Sequence, residues 1–305
     1  FLCLNLNSKN TFDGYKDPIW SDAAGYYVYL PATFIYGWEN TQMPNDWPDK
    51  LGGGFEINEE GRVLTKYPVG SAILQTPFFL GAHLLAGSSN EADGYSQYYH
   101  YGSWFAGITY LLLGMWFLFL YLRERFDLKA VLITLTLLLF GTNLYYYGLN
   151  YTGYSHVYSF FVLSVLLYLA GKLEQRATSR GLLLFALFTG LAVVIRPTNL
   201  LFVLLIKLLH YPGLKQAVKT HPKTLFIFCF PVFALPLIPQ MLYWNYASGS
   251  PFYYSYGNES FNWTYPQFVE FLFSTKNGLF TYTPVLIFAI LGIIIMLRKQ
   301  RLKGF

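Results

Sequence analysis

Charge is what this chain has least of. Lys, Arg, Asp and Glu make up 12% of its 305 residues, where a soluble domain averages about 25%. A chain so poor in charge lacks the polar surface to cover a water-soluble globule of its size. Cysteine is almost absent too. Cys3 and Cys229 both lie in apolar stretches and read as buried thiols, and no cysteine or histidine spacing suits a metal. There is no Gly-rich nucleotide fingerprint, no Walker lysine, no HExxH and no GxSxG. Gly52-Gly53-Gly54 has no lysine partner and opens no helix, so it reads as a turn and not a phosphate cradle. An enzyme with this sequence does not take a nucleotide-bound donor through a Rossmann domain. The net charge of +5 sits in short loops between apolar runs, which argues against nucleic acid.

What fills the space is apolar and aromatic. The chain is 54% hydrophobic and 20% aromatic, with a mean hydropathy of +0.34. Twenty-seven tyrosines and twenty-eight phenylalanines suit rings held at headgroup depth. The expected class is an all-α polytopic membrane protein. Residues 1–6, FLCLNL, read as the tail of a truncated first transmembrane helix. Residues 7–100 form a polar, outward first loop with juxtamembrane helices at about 21–38 and 68–87. A helix bundle follows over 101–297, with a second outward loop at about 247–277 and a cytoplasmic tail at 298–305. Within the bundle, apolar runs predict spans near Tyr101–Leu122, Ala130–Gly148, Val157–Gly171, Leu182–Ile195, Leu200–Leu209, Leu225–Tyr246 and Gly278–Leu297.

The 68–87 stretch is near span length but carries Gln75, Pro77 and His83. If it does not span, one face collects 14 of the 21 basic residues and only 3 of the 16 acidic ones. That face is then cytoplasmic, and Asp22, Arg196 and the 247–277 loop face outward. A spanning 68–87 fits the charge rule almost as well; its glycine and proline content and the acidic first loop favour the non-spanning arrangement.

Candidate chemistry gathers at the outward side. The stretch SDAAGYYVYLPATFIYGW places Asp22 ahead of a tyrosine-loaded segment too short to cross a bilayer and interrupted by Pro31. Asp22 is either a plain helix cap or a catalytic carboxylate, stabilised when ionised by the helix N-terminus. The segment behind it is aromatic nearly all round, as a helix lying in the interface is. Lys66 either pairs with a phosphate or snorkels at a membrane edge. His156 and His83 either hydrogen-bond a substrate or satisfy neighbours. Arg196 stands at membrane depth, against the trend of basic residues, so an anion is expected beside it: a lipid phosphate, or the partner of a structural ion pair. Glu259, Trp263 and Lys276 suit carbohydrate, or belong to an ordinary solvated loop. Tyr26, Tyr67, Tyr154 and Asn199 flank these positions and complete the candidate substrate contacts.

SDAAGYYVYLPA (21–32), TKYPVGSAILQTPFFLGAHL (65–84), GYSHVYSFF (153–161), VIRPTNLLF (194–202) and FLFSTKNGLFTYTPVL (271–286) together resemble the GT-C superfamily of membrane glycosyltransferases. The likeness is to the bacterial branch related to protein O-mannosyltransferases and lipid A aminoarabinose transferases. It implies a GT-C-like helix bundle in a bacterial inner membrane with its active site facing the periplasm. It also implies inverting transfer of a sugar from a polyprenyl phosphate to an acceptor glycan, lipid or protein, within membrane lipid. The catalytic aspartate of that family maps onto Asp22. The donor phosphate would fall to Arg196, Lys66 and His156. Many relatives carry a second acidic residue after the aspartate, where this chain has Ala23. No cofactor follows with certainty; a divalent metal is the one candidate, and Ala23 weighs against it. Two other functions fit the composition: a flippase for lipid-linked sugars, and an inactive subunit of an envelope assembly. A flippase should show a polar mid-membrane path in two matching halves, which the sequence does not display.

Overall fold

The computed structural model describes residues 17–38, 43, 47–256, 264–276 and 278–302. The expected tail of a first helix at 1–6, and the candidates Glu259 and Trp263, lie outside the described residues. The described chain is mostly helical. Its one sheet is a two-residue antiparallel pair, with Glu56 opposite Leu64 and Ile57 opposite Val63. The chain divides into two compact units, Phe1–Arg125 with Tyr146–Gly257, and Phe126–Tyr145 with Asn258–Phe305.

The first unit is built on the helix Ser155–Gln175. Against it pack Gly70–Gly87, Gln97–Arg123, Ser179–Ile195, Asn199–Leu209 and Tyr211–Thr220. Three helices among the described residues are long and apolar enough to cross a membrane: Gln97–Arg123, Ser155–Gln175 and Thr224–Ser248. A fourth is added if Asn199–Leu209 and Tyr211–Thr220, bent by 85°, count as one. At ~1.5 Å per residue the shortest of the three reaches ~31 Å, enough for a hydrocarbon layer of ~30 Å. Gly70–Gly87 is not one of them, and Pro77 interrupts it. Thr224–Ser248 opens as a π-helix at Thr224–Cys229 and tightens to a 3₁₀ turn at Leu235–Leu237. Pro231, Pro236 and Pro239 remove donors along this stretch, which accounts for its irregular winding.

Much of the apolar surface faces outward. Leu112, Trp116, Leu201, Leu208, Phe226 and Phe230 are each more than half exposed. An apolar exterior of this extent is unfavourable in water.

The aromatic segment after Asp22 behaves differently from an interface-lying helix. It forms two short helices, Asp22–Tyr27 and Tyr29–Phe34. Pro31 lacks the N–H that Tyr27's carbonyl would use, so the helix breaks at Val28. Ala23, Ala24, Tyr26, Tyr27, Val28, Tyr29, Leu30 and Ala32 are all 0–3% exposed. The tyrosines are core residues packed on protein. Tyr27 sits edge-on to Phe79 and Tyr95, and its hydroxyl donates to the Gly94 carbonyl at 2.8 Å.

The second unit contains Leu128–Gly141, Phe268–Phe273, Leu279–Tyr282 and Leu286–Leu302. Asp127 caps the first of these by accepting from the Ala130 N–H at 3.0 Å. The run expected to be helical over 130–148 stops at Gly141, where Thr142 turns extended, and Thr and Asn are weak helix formers. Tyr146–Asn150 is a separate π-helical turn in the first unit.

Candidate active site

Asp22 is the first residue of its helix, and the expected cap is not made there. The Ser21 side chain bonds no backbone N–H of the helix. Ser21 itself has φ 55°, a conformation that suits glycine and is strained for serine. The Asp22 carboxylate instead accepts from the Tyr67 hydroxyl, with 2.5 Å between Oδ1 and the phenol oxygen. Burial, then the bond to Asp22 and its charge, push the Tyr67 phenol above the ordinary tyrosine range. Tyr67 therefore stays protonated and remains a donor.

Backbone bonds from other aromatic hydroxyls fix Thr65-Lys66-Tyr67. Tyr29 donates to the Tyr67 carbonyl at 2.6 Å, and Tyr243 donates to the Thr65 carbonyl at 2.9 Å. Thr65 in turn donates to the Gly25 carbonyl at 2.9 Å. Ser255 donates to the Lys66 carbonyl at 2.8 Å. The Lys66 ammonium lies 5.7 Å from the Tyr67 ring centroid and 5.8 Å from that of Tyr256. Between these groups is an open cavity of 530 Å³, with Asp22, Glu56, Lys66, Tyr67, Tyr253 and Ser255 in its wall. Its size suits a small polar ligand such as a sugar or a phosphate.

A second aromatic group approaches Asp22 from Tyr146–Gly153. Tyr147 stacks on His156, with centroids 3.8 Å apart, and Tyr154 lies 5.9 Å from Tyr147. Burial and then the Asp22 charge push the Tyr154 phenol up to about 12. The Tyr147 phenol is raised by burial, held back by Arg196 and raised further by Asp22. Tyr147 thus feels the carboxylate and the guanidinium at once. Tyr26 ties this group to the first, with its ring 4.7 Å from Tyr67 and its hydroxyl accepting from Ser155 at 3.1 Å.

Two close backbone approaches draw these segments together. A Cβ on Gly153 would lie 2.0 Å from the Pro18 carbonyl oxygen and 2.8 Å from the Ala23 Cβ. A Cβ on Gly70 would lie 2.4 Å from the Ile195 nitrogen. Glycine at both positions lets Tyr154 approach the Asp22 helix and Tyr67 approach Arg196. Pro197 does the rest for Arg196. It forces its predecessor out of the helical region, and Arg196 has φ −153° and ψ 123°, ending Ser179–Ile195 there.

The structure thus gathers Asp22, Tyr26, Lys66, Tyr67, Tyr154, His156 and Arg196 in one neighbourhood. Tyr26, Arg196, Tyr154 and His156 are not among the cavity-wall residues; Tyr26 contacts Tyr67, and the other three connect with Asp22 through the second aromatic group. Asn199 is buried and donates to Ser159 Oγ and the Ala192 carbonyl, both at 3.0 Å. His83 bonds the Tyr99 hydroxyl at 2.6 Å and stacks on Phe79. Neither lines the cavity. Lys276 lies exposed in the second unit. Sequence reasoning passed over Tyr147, Glu56, Tyr253 and Ser255. Nothing in the sequence marks them: Tyr147 and Tyr253 are two of twenty-seven tyrosines, and Glu56 and Ser255 sit in polar stretches without a motif. Among the described residues no three His, Cys, Asp or Glu side chains gather as a metal would require. No family model matches the chain, and no similarity to a curated protein or a solved structure is found.

Proposed function

We propose that this chain is a membrane-embedded glycosyltransferase. It moves a sugar from a polyprenyl phosphate to an acceptor hydroxyl, with inversion, at the periplasmic face of a bacterial inner membrane. The observation that carries this reading is Asp22 in the wall of a cavity, with one carboxylate oxygen held by Tyr67 and the ammonium of Lys66 in the same wall. One oxygen held by a donor leaves the other to receive a proton. The apolar exterior and the three to four helices of sufficient length support the membrane setting. The resemblance of the Asp22, Lys66, His156 and Arg196 motifs to GT-C enzymes supports the reaction class.

The acceptor oxygen attacks the anomeric carbon and its proton passes to Asp22. The bond from the anomeric carbon to the phosphate oxygen breaks, and polyprenyl phosphate leaves with the electron pair. General-base help of this kind contributes ~10²–10⁴-fold. Arg196, with Lys66 or His156, stabilises the charge that gathers on the leaving phosphate, worth up to ~3–4 kcal/mol per donor. Phosphate leaves without protonation, so a second acidic catalyst is not required.

Purified protein incubated with a radiolabelled polyprenyl-phosphate sugar and candidate acceptors tests the reading. Asp22→Asn is expected to lower transfer by roughly 10²-fold or more while the unfolding temperature stays unchanged. Undiminished transfer by that variant would overturn the assignment of the base.

A further inference from the structure

Between Glu174 and Glu259 the sequence holds seven lysines and arginines and no aspartate or glutamate. Six of the seven are exposed, and five of these, Arg176, Arg180, Lys215, Lys219 and Lys223, lie on two neighbouring segments. His221 joins those segments. Its Nδ1 pairs with Ser179 Oγ at 3.0 Å and its Nε2 with the Ala177 carbonyl at 3.3 Å. Gly213 closes the other end, where an added Cβ would lie 2.5 Å from the Glu174 Cα. The carboxylates at this place are already engaged: Glu174 with His210 at 2.8 Å and Arg125 at 3.9 Å, and Glu124 with Lys172.

The helix Tyr211–Thr220 turns 85° away from Asn199–Leu209. The latter helix has an apolar outer side, with Leu201, Leu205 and Leu208 each more than half exposed. The former buries Gly213 and Ala217 and exposes Tyr211, Lys215 and Lys219 in a row of every fourth residue. The helix ends at Thr220, and Lys223 lies exposed just beyond it at the start of Thr224–Cys229; the Lys215 ammonium lies 5.3 Å from the Tyr211 ring centroid. An apolar-sided helix thus ends where a perpendicular one begins, with one face on protein and the other offering an aromatic ring and ammonium groups. That is how a helix lies along a bilayer surface.

We infer that Tyr211–Thr220, with Arg176, Arg180 and Lys223, is a docking surface for anionic phospholipid headgroups. The inference rests on the membrane setting proposed above and is independent of the transfer chemistry. The occupant follows from charge: a row of cations with no carboxylate in the segment takes a phosphate diester with a net negative charge and gains little from a zwitterionic one.

The test uses the full chain in nonionic detergent, titrated with phosphatidylglycerol or with phosphatidylcholine of the same acyl chains. Retained lipid is read by native mass spectrometry, and the unfolding temperature is followed in parallel. Phosphatidylglycerol is expected to be retained preferentially and to raise the unfolding temperature. The double variant Lys215→Ser/Lys219→Ser changes only exposed side chains. It is expected to bind phosphatidylglycerol roughly tenfold or more weakly, at about fivefold for each lysine facing an anionic surface. Equal retention of the two lipids, or undiminished phosphatidylglycerol binding by the variant, would overturn the inference. So would an equal stabilisation by inorganic phosphate alone, which marks a free-anion site. Two readouts on the same preparation separate the readings. Release of the chain by an alkaline carbonate wash sinks the membrane setting and this surface with it. Loss of sugar transfer with lipid selectivity intact leaves the surface standing.

Discussion

Tyr67 and Asp22 form the pair on which the proposed chemistry turns, and Tyr67→Phe isolates it. The ring contacts with Tyr26 and Lys66 remain while the donated hydrogen bond is lost. Transfer is expected to fall by about ten- to a hundredfold, in line with a hydrogen bond to a charged group worth ~1.5–3 kcal/mol, and the unfolding temperature is expected to change little. Steady-state assays beside a melting curve decide it; a large drop in melting temperature would assign Tyr67 a structural role instead. Ser21 gives the opposite signature. Its φ of 55° is strained for serine and free for glycine, so Ser21→Gly is expected to stabilise the fold by about 1 kcal/mol. A melting temperature that falls would show that the serine side chain contributes more than the strain costs.

At the level of elements, the helix junctions carry the site. The start of Gly70–Gly87 lies against the end of Ser179–Ile195, backbone on backbone. In Gly70→Ala the new Cβ meets the Ile195 nitrogen and the Val194 carbonyl carbon, neither of which is the end of a flexible side chain. The expected cost is about 1–3 kcal/mol. Transfer should fall with stability, because Lys66 and Tyr67 sit just ahead of this junction and Arg196 just beyond it. Asn199 holds the same region from inside. Asn199→Ala removes two buried bonds and strips the Ala192 carbonyl of that donor, a loss of about 1–3 kcal/mol. Chemical unfolding in detergent measures both; a neutral Asn199→Ala would show that its amide is replaceable by water.

Across the first unit, buried tyrosines set an alkaline limit. Burial and the Asp93 charge hold the Tyr36 phenol up to about 12, and burial raises Tyr27 and Tyr95 well above their ordinary value. Unfolded tyrosines lose their protons near about 10. The folded chain therefore binds more protons above that pH. The stability linked to these groups is fully present below about 10 and is lost as pH rises through 12. The unfolding temperature is expected to hold steady up to about pH 10 and then fall; exposed tyrosines such as Tyr254 and Tyr265 are open to ionisation in the folded chain, and the further tyrosinate absorbance of Tyr27 and Tyr95 appears only as the chain unfolds. Full tyrosinate absorbance before unfolding would contradict the burial of Tyr27 and Tyr95.

Composition and local pattern were enough to determine that this chain is helical, too apolar for an ordinary soluble domain, and broken at Pro31 and Pro197, because those properties depend on residues close together in sequence. They also drew attention to Asp22, Lys66, His156 and Arg196. Tertiary structure alone decided which groups meet. The partner of Asp22 is Tyr67, 45 residues away. Tyr147 lies within electrostatic reach of both Asp22 and Arg196, while Asn199, an equal candidate by position, turns inward to hold the bundle. The aromatic run after Asp22, expected at an interface, is core. The physical reason is that burial and hydrogen-bond partners follow from close packing, as at Gly70 and Gly153, and two residues' types do not say whether their backbones come within touching distance.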